Sequence, residues 1–184
     1  MRFASSITAA ENVDEALEEL LAPIDARVTP GMVDLAFLFM TKHFEDDLPD
    51  IVDRVGSAFG GGVLVGCTAE GTIGCEREIE RTPSMSLLAA ELPDIMVRPF
   101  HLTQRDLESI RTAPDWGRFV GVSPESQPTF IAMSDPFRMA IYPLIDQLNE
   151  AYPSAPLVGG VASAARLPGE NRLILNDELY DEGT

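Results

Sequence analysis

Two stretches of this chain repeat one strand–helix–strand pattern, and that repeat limits the fold more than any other feature. Phe37, Met40, Phe44, Leu64, Val65, Gly66 and Ala69 line up with Phe130, Met133, Phe137, Leu157, Val158, Gly159 and Ala162, each 93 residues further on and without a gap. Self-similarity at a fixed offset is expected from duplication of a supersecondary unit, favoured here over the chance likeness of buried strands that are all rich in Leu and Val. In the first copy, residues 33–40 form a nearly continuous apolar run, which predicts a strand buried on both faces. Leu48, Ile51, Val52, Val55 and Phe59 then recur at helical spacing within 46–59. Gly60-Gly61-Gly62 closes that helix, and residues 63–65 start the next strand. The second copy has strands at 129–133 and 157–159 around a helix at 137–151. A strand, a crossover helix and a second strand in one sheet predict a parallel pair. The expected fold is therefore α/β, a mixed sheet with helices packed on it, duplicated at about 33–66 and 129–159, with an antiparallel hairpin in addition.

The flanking segments complete this picture. Residues 11–22 predict a helix with Asn12 as N-cap and Ala16, Leu17, Leu20 and Leu21 as its apolar stripe, its exit bracketed by Pro23 and Pro30-Gly31. The hairpin is expected from 84–92 and 95–102, which flank the turn residues Pro93-Asp94. Thr103 suits the N-cap of a short helix through Arg111. Residues 113–128, rich in Pro, Gly and Ser, read as an irregular connection, and 171–176 as a last strand.

Charge narrows the partners. Thirteen basic and 30 acidic residues give a formal net charge of −17. Such a surface repels phosphate backbones and anionic lipid, so neither nucleic acid nor membrane is an expected partner. No apolar run reaches the ~18 residues of a membrane helix. Glu11, Asp14 and Glu15 interrupt the N-terminal segment too early for a signal peptide, which predicts a cytoplasmic location. Two cysteines, Cys67 and Cys75, and two histidines, His43 and His101, match no standard metal spacing. Reduced thiols, no metal and no cofactor are expected.

The candidate site is Gly66-Cys67-Thr68-Ala69-Glu70-Gly71-Thr72-Ile73-Gly74, directly behind the strand at 63–65. It reads as a glycine loop carrying a thiol, hydroxyls and one carboxylate on a rigid strand, a common way to build a pocket wall. Its duplicate is the small-residue loop at 159–164. Ligands of open α/β sheets bind beyond the carboxyl ends of strands. One cleft is thus predicted between 66–74, 159–164 and the strand ends at Thr41 and Ser134. Backbone amides and hydroxyls of Gly66, Cys67, Thr68, Gly71, Thr72, Ser134, Gly160 and Ser163 would contact the ligand, with Glu70 as the charged group.

Each of these residues also has a plainer reading. Cys67 is either a nucleophile served by His43 as base or a small packing residue, and its duplicate, Gly160, favours packing. Glu70 either binds a ligand ammonium or caps a solvated turn. Asp135 followed by Pro136 fits a helix N-cap better than a ligand contact. His101 reads as a surface or hydrogen-bonded strand histidine. The glycine spacing is neither a dinucleotide fingerprint nor a phosphate loop.

The run Val63 to Gly74, Arg77-Glu78-Ile79-Glu80 and Pro83-Ser84-Met85-Ser86-Leu87-Leu88-Ala89-Ala90 resemble the FIST N-terminal domain. Asp34 to Phe39, Gly159-Gly160-Val161-Ala162-Ser163 and Asn171-Arg172-Leu173 fit the same pattern in order. The resemblance covers most of residues 3–176. It implies a sensory module of intracellular signal transduction that binds small ligands, amino acids or related metabolites among them. It also implies a single domain that is a fragment lacking a following C-terminal FIST domain, with that domain or a signalling protein as partner. Three functions are compatible with these residues: a ligand-binding sensor, a cysteine-dependent acyl- or amide-transfer enzyme, and a ligand-free interaction module.

Overall fold

The computed structural model describes residues 1–29 and 31–184. Pro30, expected to help close the exit of the first helix, lies outside the described residues. The chain builds a six-stranded mixed sheet in the order β1-β6-β2-β3-β9-β10. Its members are β1 (Arg2–Thr8), β2 (Leu35–Thr41), β3 (Val63–Ala69), β6 (Met85–Glu91), β9 (Leu173–Leu175) and β10 (Glu178–Tyr180). Only β2 and β3 run parallel; the other neighbours are antiparallel. A separate hairpin pairs β4 (Gly71–Gly74) with β5 (Arg77–Glu80), and a parallel pair joins β7 (Phe130–Ser134) to β8 (Leu157–Val161).

Helices α1 (Val13–Asp25) and α2 (Leu48–Phe59) cover one face of the main sheet. Asn12 caps α1 as expected, its side chain accepting from the Asp14 and Glu15 amides. The helix continues through Pro23, where one lost amide affects only the last turn and buried Ile24 anchors that turn to the core. Gly60, at φ 67°, takes the left-handed conformation that ends α2. The central core consists of the α1 and α2 stripes packed on Ala36, Leu38, Met40, Leu64, Met85, Leu87 and Ala89.

A second core belongs to the second βαβ unit. Helices α3 (Gln104–Ser109), α4 (Ala113–Val120) and α5 (Ile141–Ala151) enclose Leu107, Trp116, Phe130, Leu144, Leu148 and Tyr152. Thr103 caps α3 in a reciprocal capping box with Asp106.

Both copies of the βαβ unit therefore exist, but they are one residue out of step. Phe37 faces Val65 in the first, while Phe130 faces Leu157, not Val158, in the second. The repeated glycines share a role. A Cβ on Gly66 would lie 1.9 Å from the Leu38 carbonyl oxygen, and one on Gly159 1.9 Å from that of Ala132. At both positions only glycine lets the parallel strands approach this closely.

Several expectations are corrected. Residues 66–69 are not loop but the second half of β3, and 71–74 is a strand of the β4–β5 hairpin. Residues 95–102 form no strand. β6 already pairs with β1 on one side and β2 on the other, so neither edge is open to a hairpin partner. Residues 113–120 are helical: Pro114 sits in the first turn, where its missing amide is harmless, and Thr112 supplies the cap. The run 33–40 is not buried on both faces. Ala36, Leu38 and Met40 are buried, whereas Leu35, Phe37 and Phe39 are only half-buried.

Candidate functional site

The half-buried faces of β2 and β3 have a consequence: they do not meet the second core directly. Between them lies a cavity of about 770 Å³. Leu35, Phe37, Val63 and Val65 line it from the main sheet, and Phe130, Ala132, Leu148 and Leu157 from the second unit. The segment 92–101 forms a side wall and residues 121–129 a second. The strand pleat explains this division. Alternate residues of β2 and β3 point to the α1–α2 core, and those between them point into the cavity.

The aromatic groups at the wall are arranged edge to face. Phe100 meets Phe130 with ring centroids 6.5 Å apart at 84°, and meets Phe119 at 6.2 Å and 84°. His101 lines the cavity as well. It is hydrogen-bonded as expected, Nε2 lying 2.8 Å from the Glu182 carbonyl oxygen, but its segment is not a strand. Its ring stacks on Tyr180 at 3.7 Å.

Of the residues expected to contact a ligand, Gly66 lines the cavity. The others lie in or just beyond the carboxyl-terminal ends of strands, or in β4. Three of them meet across the junction of the two units. The Ser163 amide donates to the Thr68 carbonyl oxygen at 3.2 Å, and the Glu70 amide donates to Ser163 Oγ at 3.2 Å. The duplicate positions Glu70 and Ser163 are thus in direct contact. Thr68 is buried and pairs with Arg172, whose amide donates to Thr68 Oγ1 at 2.9 Å. Ser134 is buried beside them: its carbonyl oxygen accepts from the Ala162 amide at 2.9 Å and its hydroxyl bonds to Thr184. Glu70 is exposed and its carboxylate forms no ion pair among the described residues. Gly160 is exposed, with open space where a Cβ would stand. Gly71 and Thr72 belong to a different neighbourhood. Gly71 pairs with Glu80, and Thr72 Oγ1 donates to Ser84 Oγ at 2.9 Å; Ser84 is also held by Thr41.

Sequence reasoning missed the polar centre of that junction. Asp135 does not cap a helix, because α5 begins only at Ile141. It is fully buried, accepts from Asn171 Nδ2 at 2.8 Å through Oδ1, and its Oδ2 has no hydrogen-bond partner among the described residues. Asn171 Oδ1 in turn accepts from the Ala165 amide at 2.9 Å. Asn171-Arg172 was visible as a motif, but its contact with Asp135 spans 36 residues and leaves no local signal.

Cys67 is buried with Ala162 and Leu173 against Phe39 and Tyr180. Burial pushes its thiol up to about 12, which keeps it protonated. His43 is exposed; its Nδ1 lies 3.1 Å from Thr41 Oγ1, and no hydrogen bond joins it to Cys67 among the described residues.

A mixed α/β domain with a cavity between its two halves is thus the class the geometry defines. The model of the FIST N domain matches residues 34–184, and the chain belongs to that family, a family of signal-transduction sensory domains. Two uncharacterized Mycobacterium tuberculosis proteins, Rv0628c of strain H37Rv and MT0656 of strain CDC 1551, are each 25% identical to it over 186 residues. Those matches cover 100% of this chain and 46% of each relative, so the chain spans about half the length of the curated relatives it matches. No solved structure matches it. No helix among the described residues is long and apolar enough to cross a membrane.

Proposed function

We propose that this chain is a cytoplasmic small-ligand-binding sensory domain whose ligand occupies the cavity between the main sheet and the second βαβ unit. The observation that carries the reading is the cavity itself. Its volume of about 770 Å³ falls in the ~300–1,000 Å³ range of small-molecule sites, and it lies between two substructures, where such sites concentrate. A ligand bridging Val65 and Phe130 would report to both units at once, which suits signalling to a C-terminal FIST domain or another partner. Amino acids or related metabolites are the ligand class that the resemblance implies. An amino acid held by Glu70 would sit at the strand-end junction of Thr68 and Ser163, outside the cavity. Cys67 gives little support to an acyl-transfer enzyme, since its thiol is buried, protonated and unlinked to His43. A ligand-free interaction module would call for a filled interior.

Calorimetry of this chain and of the full-length protein against a metabolite panel tests the proposal. Saturable binding of one compound, lost in Val65→Trp, is the expected result. A panel with no binder to either protein would refute it.

A further inference from the structure

The lining of the cavity is specific about chemistry. We infer that its ligand is a ring-bearing, largely apolar molecule with a polar substituent at the mouth, and not a free amino acid; this rests on the cavity being the sensory site. The floor is made by Phe37, Val65, Phe130 and Leu157, none of which offers a charge or a side-chain hydrogen bond. The charged residues on the lining, Asp94 and Arg98, are exposed on one side wall. His101 is already held by Tyr180 and the Glu182 carbonyl.

A zwitterion entering this floor would lose the hydration of both charges without gaining a partner for either from the floor side chains. An aromatic ring meets the opposite situation. The wall already presents Phe100 and Phe130 edge to face at 6.5 Å, and a further ring extends that arrangement with the offset or perpendicular geometry aromatic groups prefer. The polar end of the ligand has its own place. Ser126, Gln127 and Thr129 border the cavity, are exposed, and their side chains form no hydrogen bonds among the described residues. They offer a donor–acceptor rim suited to a hydroxyl, carbonyl or single carboxylate. The cavity exceeds what one indole ring fills, so two fused rings or a ring with a short chain fit its size.

Calorimetry with indole, 1-naphthol and 1-anilinonaphthalene-8-sulfonate in one arm, and the twenty amino acids in the other, tests this on the purified chain and the full-length protein. The expected result is saturable one-site binding of at least one ring compound to both proteins. Val65→Trp, which fills the floor, should weaken it at least tenfold. Val158→Ser, at the duplicate but solvent-exposed position, should leave it within twofold. Far-ultraviolet circular dichroism and a cooperative melt report whether Val65→Trp folds; Ala132→Leu, on the facing wall, serves if it does not. Amino-acid binding that Val65→Trp abolishes, with no ring compound bound, overturns the ligand class and leaves the sensory reading standing. Ring-probe binding that is unsaturable, or that neither filling variant weakens, overturns the inference. So does exclusion of every ring probe from the full-length protein, which would mean that protein occupies the cavity. Failure of every compound in both arms and in the broad metabolite panel removes the sensory reading itself.

Discussion

At the scale of single residues, the two thiols and the repeated glycines show how position overrides residue type. Cys75 is exposed in the β4–β5 turn, whereas Cys67 is enclosed. Iodoacetamide near neutral pH should therefore modify one thiol in the native protein and a second only after denaturation; two fast-reacting native thiols would contradict the packing described. The acid constant of Cys67 gives a sign as well. Raised from 9.0 to about 12, it adds stability that is complete below the ordinary thiol value and is lost as pH rises toward 12. Replacing Cys67 with Ala should flatten that alkaline loss in urea unfolding above about pH 9. Among glycines, Gly66→Ala forces a Cβ into the Leu38 carbonyl and should cost at least about 2–3 kcal/mol. Gly160→Ala meets open space and should stay within about 0.5 kcal/mol. Equal melting temperatures for these two variants would remove the steric explanation. The sequence showed these glycines clearly, and their spacing drew attention to the right strand end. It did not show that Gly66 serves strand contact within an unbroken β3, because a glycine that admits a ligand and one that admits a neighbouring backbone look alike in one dimension.

At the scale of elements, legibility followed apolar periodicity. Helices α1, α2 and α5 and strands β2, β3, β6 and β7 carry strong patterns and lie near their expected places. β1 was not foreseen, because its inward face is Ala4, Ser6 and Thr8 instead of branched aliphatic groups. Those hydroxyls are satisfied tertiarily: Ser6 Oγ donates to the Leu20 carbonyl oxygen at 2.8 Å and Thr8 bonds to Glu19. The α3 cap, in contrast, was readable from Thr103 alone, and it carries a pH signature. The Thr103 hydroxyl, then the Thr103 amide, hold the Asp106 carboxyl below its usual range. That contribution is complete above the ordinary value of 3.8 and is lost as pH falls through the depressed one. Thr103→Ala should cost about 1 kcal/mol at neutral pH. Paired urea titrations should find a smaller penalty near pH 2–3, and an unchanged penalty there would place the stabilisation elsewhere than in the carboxylate. The β4–β5 turn holds Cys75 at φ 49° and Glu76 at φ 62°, the left-handed pair of a tight hairpin that glycine favours. Glu76→Gly should raise stability by about 0.5–1 kcal/mol in thermal or urea unfolding.

At the scale of the whole molecule, the cavity was the least legible feature. Its walls come from β2, β3, the segment 92–101, the 121–129 turn, β7, α5, β8, β9 and β10, many of them distant in the sequence and sharing no motif. Only the continuous apolar character of 33–40 hinted at it: the second apolar face was read as a second buried surface, and it faces the hollow instead. The strand-end junction was half visible, since the duplication put Glu70 and Ser163 at equivalent places and the fold brings them into contact.

The one-residue slip between the two parallel pairs sets the symmetry of the molecule. Phe37 and Phe130 both line the hollow, but Val65 faces it while Val158 is 54% exposed. Sequence correspondence and environment are thereby uncoupled: two valines 93 residues apart meet opposite surroundings. An aspartate at Val158 should be nearly silent in a melting curve, whereas the same change at Val65 should lower it by several degrees. A repeated unit paired in perfect register would give twin halves with equivalent positions. Here the offset gives one half an inside where its twin has an outside, and a single off-centre chamber replaces two mirrored ones.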